Sequence, residues 1–97
     1  MRIVTIEAIK VFIKKQNSSD KALREWYTKS KKSDWTCFAD VKQTFNSADS
    51  VGNNRFVFNI KGNDFRLVAM IIFASKKIYI RFIGTHKEYD KIDCSNI

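Results

Sequence analysis

The residues best suited to chemistry gather in the last third of this chain, in the run Thr85-His86-Lys87-Glu88-Tyr89-Asp90, just beyond a segment that carries Arg81. His86 is the only histidine. Imidazole takes up and releases a proton near neutrality, which suits it to general acid–base work. Arg81, Lys87 and Tyr89 stand around it, and no metal-ligand cluster lies near it. Cutting RNA through its own 2′-hydroxyl asks for that combination: a base for the 2′-proton, an acid for the leaving 5′-oxygen, and cations for the phosphoryl charge. Arg66 and Arg81 each carry a planar fork that grips phosphate at two points. Tyr79 and Tyr89 offer a face on which a base can stack, and a phenolic proton. Plainer roles are open to all of them. A lone histidine often caps a surface turn, Arg66 is two residues from Asp64, and Arg55 and Arg81 suit a solvated sheet edge. Residue types alone therefore support a basic domain that binds RNA or another acidic partner, with nuclease chemistry as one reading.

The composition narrows the partners. Ninety-seven residues with 44% apolar and 13% aromatic content predict one folded domain, 1–97, with a single core. Lysine and arginine exceed aspartate and glutamate by 18 − 10 = 8. So large a surplus creates positive patches that attract polyanions, with nucleic acid first and an acidic protein or anionic membrane second. The longest apolar run, Leu67 to Ala74, is far shorter than the ~18 residues a membrane span needs, so the chain is not expected to enter a membrane. No export leader is legible at the start, which predicts a cytoplasmic protein. Cys37 and Cys94 lack C-x-x-C spacing, and with one histidine they predict free thiols, no metal site and no cofactor.

Periodicity divides the chain into a helical half and a sheet half. Met1 to Val4 reads as a short edge strand. Thr5 then caps a helix whose apolar face is Ile6, Ile9, Phe12 and Ile13. A second helix starts near Ser19 or Asp20 and buries Ala22, Leu23, Trp26 and Tyr27. A third starts at Ser33 or Asp34 and buries Trp35, Phe38, Val41 and Phe45. Residues 46–54 read as a loop. From Arg55 the period becomes two, and strands are predicted at 55–60, 65–73 and 77–83. A turn at Gly62-Asn63 sets Asn59 against Arg66, and a turn at Ser75-Lys76 sets Met70 against Arg81. In that register Phe56, Phe58, Ile60, Phe65, Leu67, Ala69, Ile71, Phe73, Ile78, Ile80 and Phe82 face the core. Arg55, Asn59, Arg66, Tyr79 and Arg81 share the other face, with His86 and Tyr89 at its rim. Gly84 ends the last strand, and Thr85-x-x-Glu88 resembles a capping box opening a helical turn.

The run Phe56-Val57-Phe58-Asn59-Ile60-Lys61-Gly62-Asn63-Asp64-Phe65-Arg66, followed by Thr85-His86-Lys87-Glu88-Tyr89-Asp90, resembles the HigB family of bacterial toxins. The opening Ile6-Glu7-Ala8-Ile9-Lys10 and Trp35-x-x-Phe38 are similar to it as well. The resemblance implies an α+β, RelE-like fold, with two to three N-terminal helices on a twisted, mainly antiparallel sheet of three to four strands. It implies a ribosome-dependent mRNA interferase acting on translated mRNA in the A site of the 70S ribosome. It also implies a HigA-type helix-turn-helix antitoxin, through which alone the pair would contact operator DNA. By position, Arg66 would contact the scissile phosphate, His86 would be the acid–base residue, and Tyr89 would stack or donate a proton. Asn59, Lys61, Arg81, Arg55 and Lys87 would be supporting RNA contacts. The alternative is a non-catalytic basic module that binds RNA or the ribosome and blocks translation.

Overall fold

The computed structural model describes residues 1–97, folded as four helices on a five-stranded sheet. β1 (Arg2–Ile3) runs into α1 (Ile6–Lys15). A 3-10 turn (Asn17–Ser19) leads to α2 (Asp20–Lys32), and α3 (Phe38–Thr44) follows. The sheet then builds from β2 (Asp49–Gly52), β3 (Arg55–Ile60), β4 (Phe65–Ile72) and β5 (Lys77–Thr85), and α4 (His86–Tyr89) leaves its end. The spatial order is β1-β5-β4-β3-β2, antiparallel except for β1, which lies parallel to β5. This is the α+β arrangement expected, with one strand more than the three to four that the resemblance implies.

The extra strand is β2, in the stretch expected to be a loop. Its residues are polar and only Val51 is half-buried, so no apolar alternation announces it. Asn53 and Asn54 have φ of 52° and 61° and close a tight hairpin onto β3. Asparagine is one of the few side chains that tolerates that region, and paired positive φ values match the right-handed twist of the flanking strands.

The apolar periods place the core as expected. Ile9 and Phe12 of α1, and Leu23 and Trp26 of α2, pack on Phe58, Ile60, Phe65, Leu67, Ile71 and Ile78. The Trp26 and Phe58 rings meet edge to face at 5.5 Å, and Phe12 and Phe65 at 5.4 Å. Two helix starts differ from expectation. The Thr5 hydroxyl makes no cap bond and instead accepts the Ile80 N–H of β5 at 2.6 Å, beyond the point where β1 stops pairing. The third helix begins at Phe38 rather than Ser33 or Asp34, because Asp40 ties down the Thr36 N–H and hydroxyl in a turn ahead of it.

Register decides which residues reach the site. Asn59 stands opposite Arg66 across β3 and β4, as the Gly62-Asn63 turn predicts. The next hairpin differs. Lys76 takes φ 58° and its ammonium reaches back to the Trp35 carbonyl at 2.9 Å and to Asp34 at 3.0 Å. The turn becomes Phe73–Lys76, so Met70 faces Tyr79 rather than Arg81. A β-bulge follows: Ala69 pairs with Ile80 and Val68 with Phe82, which leaves Arg81 as the extra residue. Beyond the bulge the faces exchange. Ile83 packs on the core in place of Phe82, and Phe82 and Gly84 join the face that carries Arg66.

Gly84 therefore lies inside β5, opposite Arg66, instead of ending it. A Cβ there would stand 2.5 Å from Phe82 Cζ and 3.1 Å from Glu88 Oε1. Gly84→Ala is expected to destabilise the fold by about 1–3 kcal/mol, as overpacking does. At roughly 4–8 °C per kcal/mol in a domain of this size, thermal denaturation reads that directly, and an unchanged midpoint would refute the tight fit.

Candidate active site

Three elements converge on one open shelf. β4 supplies Arg66, α4 supplies His86 and Tyr89, and the segment after α4 supplies Asp90 and Cys94. The expected capping box fixes the start of α4: the Thr85 N–H donates to Glu88 Oε1 at 2.8 Å, and the Glu88 N–H donates to Thr85 Oγ1 at 3.2 Å. The Thr85 backbone bond, above all, holds the Glu88 carboxyl below its usual range. Glu88 thus stays ionised, and the box stays closed, until pH drops below the ordinary glutamate range.

His86 is held from both sides. Its Nδ1 lies 3.3 Å from Asp90 Oδ2, and its Nε2 lies 3.1 Å from Arg66 Nη2. Asp90 accepts, so Nδ1 carries the proton. Arg66 only donates, so Nε2 presents a lone pair. The two partners thus match a ring protonated on Nδ1 and bare on Nε2, with the bare nitrogen aimed at the guanidinium. Arg66 also lies over the Tyr89 ring, with its central carbon 4.9 Å from the centroid, and its Nε is buried without a partner. Its Nη groups, one of them on His86 Nε2, are thus the part that can turn to an anion.

Tyr89 bridges to the following segment through its hydroxyl, 3.3 Å from Cys94 Sγ. Burial, then the Cys94 contact, pushes its phenol up to about 12, against the opposing pull of Arg66. Tyr89 therefore remains protonated across the physiological range and cannot act as a base there.

The other expected contacts are distributed unevenly. Asn59 sits beside Arg66 on the same face through the β3–β4 register. Lys87 is exposed on α4. Lys61 lies in the β3–β4 turn, 3.9 Å from Asp64. Arg55, at the far end of β3, donates to the Ile97 oxygen from Nε and Nη2 at 3.0 and 2.7 Å, and to the Asn53 carbonyl at 2.8 Å. The bulge carries Arg81 away from the shelf into a groove of about 470 Å³ between α1 and β5, lined also by Val11, Phe12 and Lys15. That groove holds none of the shelf residues. Arg66, His86 and Tyr89 occupy an open surface outside that groove.

Cys94 is absent from the expected site, and Asp90 is read in the run that carries His86 but not counted among the site residues. Asp90 is findable from sequence, since its i, i+4 spacing from His86 makes the two neighbours on a helical turn. Cys94 lies beyond α4, and only the fold brings it to Tyr89. No three His, Cys, Asp or Glu side chains converge in a set that could hold a metal ion.

Residues 19–92 match the model of a family described as the HigB toxin, the RelE-like toxic component of a toxin–antitoxin system. The chain belongs to the HigB toxin family. Among curated relatives of this family, the mRNA interferase toxin HigB of Escherichia coli (strain K12) is 48% identical over 52 residues, which is 52% of this chain and 50% of that protein. The mRNA interferase HigB of Shigella flexneri matches to the same extent. The mRNA interferase HigB of Escherichia coli O6:H1 is 27% identical over 94 residues, covering 95% of this chain and 91% of its own length. The chain thus spans about half the length of the relatives it matches at 48%. No helix of this HigB-family chain is long and apolar enough to cross a membrane.

Proposed function

We propose that this chain is an endoribonuclease toxin that cuts translated mRNA by attack of the 2′-hydroxyl on the adjacent phosphate. The observation that carries it is the convergence of Arg66, His86 and Tyr89 on one open shelf in a HigB-family fold. A phosphate arriving there competes with His86 for the Arg66 Nη groups, since Arg66 only donates and the anion is the stronger acceptor. Turning to the phosphate uncaps His86 Nε2, which then takes the 2′-hydroxyl proton. The 2′-oxygen bonds to phosphorus, the bond to the 5′-oxygen breaks, and Arg66 stabilises the charge gathering on the phosphoryl oxygens. The leaving 5′-oxygen is protonated from solvent, to which this open site gives access. The products are a 2′,3′-cyclic phosphate and a 5′-hydroxyl.

The ribosome would hold the message extended in the A site and so supply the alignment that a flat shelf lacks. Asn59, Lys61 and Lys87 would steer the backbone, and Arg55 and Arg81 would extend the positive field outwards. The partner that restrains such a toxin would be a HigA-type helix-turn-helix antitoxin, with operator DNA reached only through it, in the cytoplasm. The relatives' interferase names support the activity, and the +8 net charge supports a polyanionic substrate.

End-group analysis of cleaved message tests the chemistry: a 2′,3′-cyclic phosphate is expected, and a 5′-phosphate would refute it. Tyr89 gives a second test. With its ring under Arg66 and its hydroxyl on Cys94, Tyr89→Phe keeps the stack and is expected to retain cleavage within roughly tenfold, whereas Tyr89→Ala removes a cation–π contact of about 0.5–2 kcal/mol. A loss of two or more orders of magnitude in Tyr89→Phe would instead make the phenol the proton donor. The same net charge also favours a second reading, a basic module that binds the ribosome without cutting. In that case no single shelf substitution would matter more than the loss of scattered lysines.

A further inference from the structure

The geometry points to Asp90 as a positioning residue that sets the tautomer of His86, an inference resting on the proposal that His86 is the base. A neutral imidazole has one proton and two nitrogens. Left alone it distributes that proton between both, and only the form with a bare Nε2 can accept a 2′-hydroxyl proton towards Arg66. Asp90 Oδ2, 3.3 Å from Nδ1, favours that form because a carboxylate only accepts.

The backbone makes the pairing reproducible. The Thr85–Glu88 capping box fixes the first turn of α4, and the Asp90 N–H donates to the His86 carbonyl at 3.1 Å, which brings the i and i+4 side chains onto one face. On the other side, Arg66 Nη2 contributes its donor 3.1 Å from Nε2. The other tautomer would set a bare Nδ1 against the Asp90 carboxylate and an Nε2–H against the guanidinium. Both contacts would be repulsive, so Asp90 and Arg66 select the same tautomer. Asp90 touches no reacting atom. Its part is to keep Nε2 bare and aimed until phosphate draws Arg66 away.

The single histidine makes the test clean, because the protein has one imidazole to observe. Long-range proton–nitrogen NMR of wild type is expected to show neutral His86 protonated on Nδ1. In Asp90→Asn, an isosteric change that replaces an acceptor-only carboxylate with an amide able to donate to Nδ1, the Nε2–H form should gain population, against Arg66, which alone still favours a bare Nε2. Cleavage of a translated message by that variant should fall about 10- to 100-fold, less than the ~10⁴-fold seen for the equivalent change in a buried triad, because this pair is about half exposed. Thermal denaturation of the variant should match wild type. A tautomer that stays put in Asp90→Asn overturns the inference, and so does a tautomer that moves while cleavage is unchanged. If wild type itself cuts nothing, the nuclease proposal falls, while a tautomer that still moves upholds the hold of Asp90 on the ring.

Discussion

Arg66→Ala is expected to lower cleavage about 10²- to 10³-fold, or roughly 3 kcal/mol of transition-state stabilisation, the range for removing one oxyanion-type donor. The substitution removes the guanidinium that lies over the Tyr89 ring at 4.9 Å and caps His86 Nε2 at 3.1 Å. The base would then be uncapped at all times, so freer access to Nε2 and lost phosphate binding act in opposite directions. Phosphate should win, because the charge developing on the phosphoryl oxygens meets no other donor on the shelf placed as Arg66 is. Arg66→Lys keeps the charge and loses the planar fork, so it should recover only part of the rate. Single-turnover cleavage by ribosomes loaded with message separates the two outcomes. Full activity in Arg66→Ala would remove the phosphate-clamp role.

His86→Ala is expected to cost about 10²- to 10⁴-fold, the usual contribution of a positioned general base. The loss should be in the chemical step, with ribosome binding nearly unchanged. Because the side chain is about half exposed on an open shelf, added imidazole should restore part of the rate, and a lack of rescue would favour a structural role for the ring. The same mechanism makes cleavage fail in acid, where imidazolium has no lone pair and cannot accept from Arg66. Tyr89 cannot substitute there or at neutrality, since its phenol is pushed up to about 12.

Much of this shelf is legible in the sequence because short-range rules govern it. Thr85-x-x-Glu88 announces a capping box, and the box holds. The Gly62-Asn63 turn sets Asn59 beside Arg66, and that register holds too. Arg81 escapes such reasoning. A β-bulge adds one residue to one strand without any local apolar signature, and it moved Arg81 off the shelf while exchanging Phe82 for Ile83 in the core. β2 escapes for another reason: as a polar edge strand it buries little, and its pairing is carried by backbone bonds and two asparagines at positive φ. The Cys94 contact with Tyr89 depends on the path of the chain after α4, which no periodicity encodes.

Cutting of translated RNA is proposed to depend on the centre that Arg66, His86 and Tyr89 form. Primer-extension mapping of a translated message tests it most directly, with wild type and His86→Ala each compared with and without ribosomes. Discrete in-frame cuts that require ribosomes and vanish in His86→Ala are the expected result. Ribosomes stalled on uncut message, equally with both proteins, would contradict it and leave a basic domain that binds and blocks.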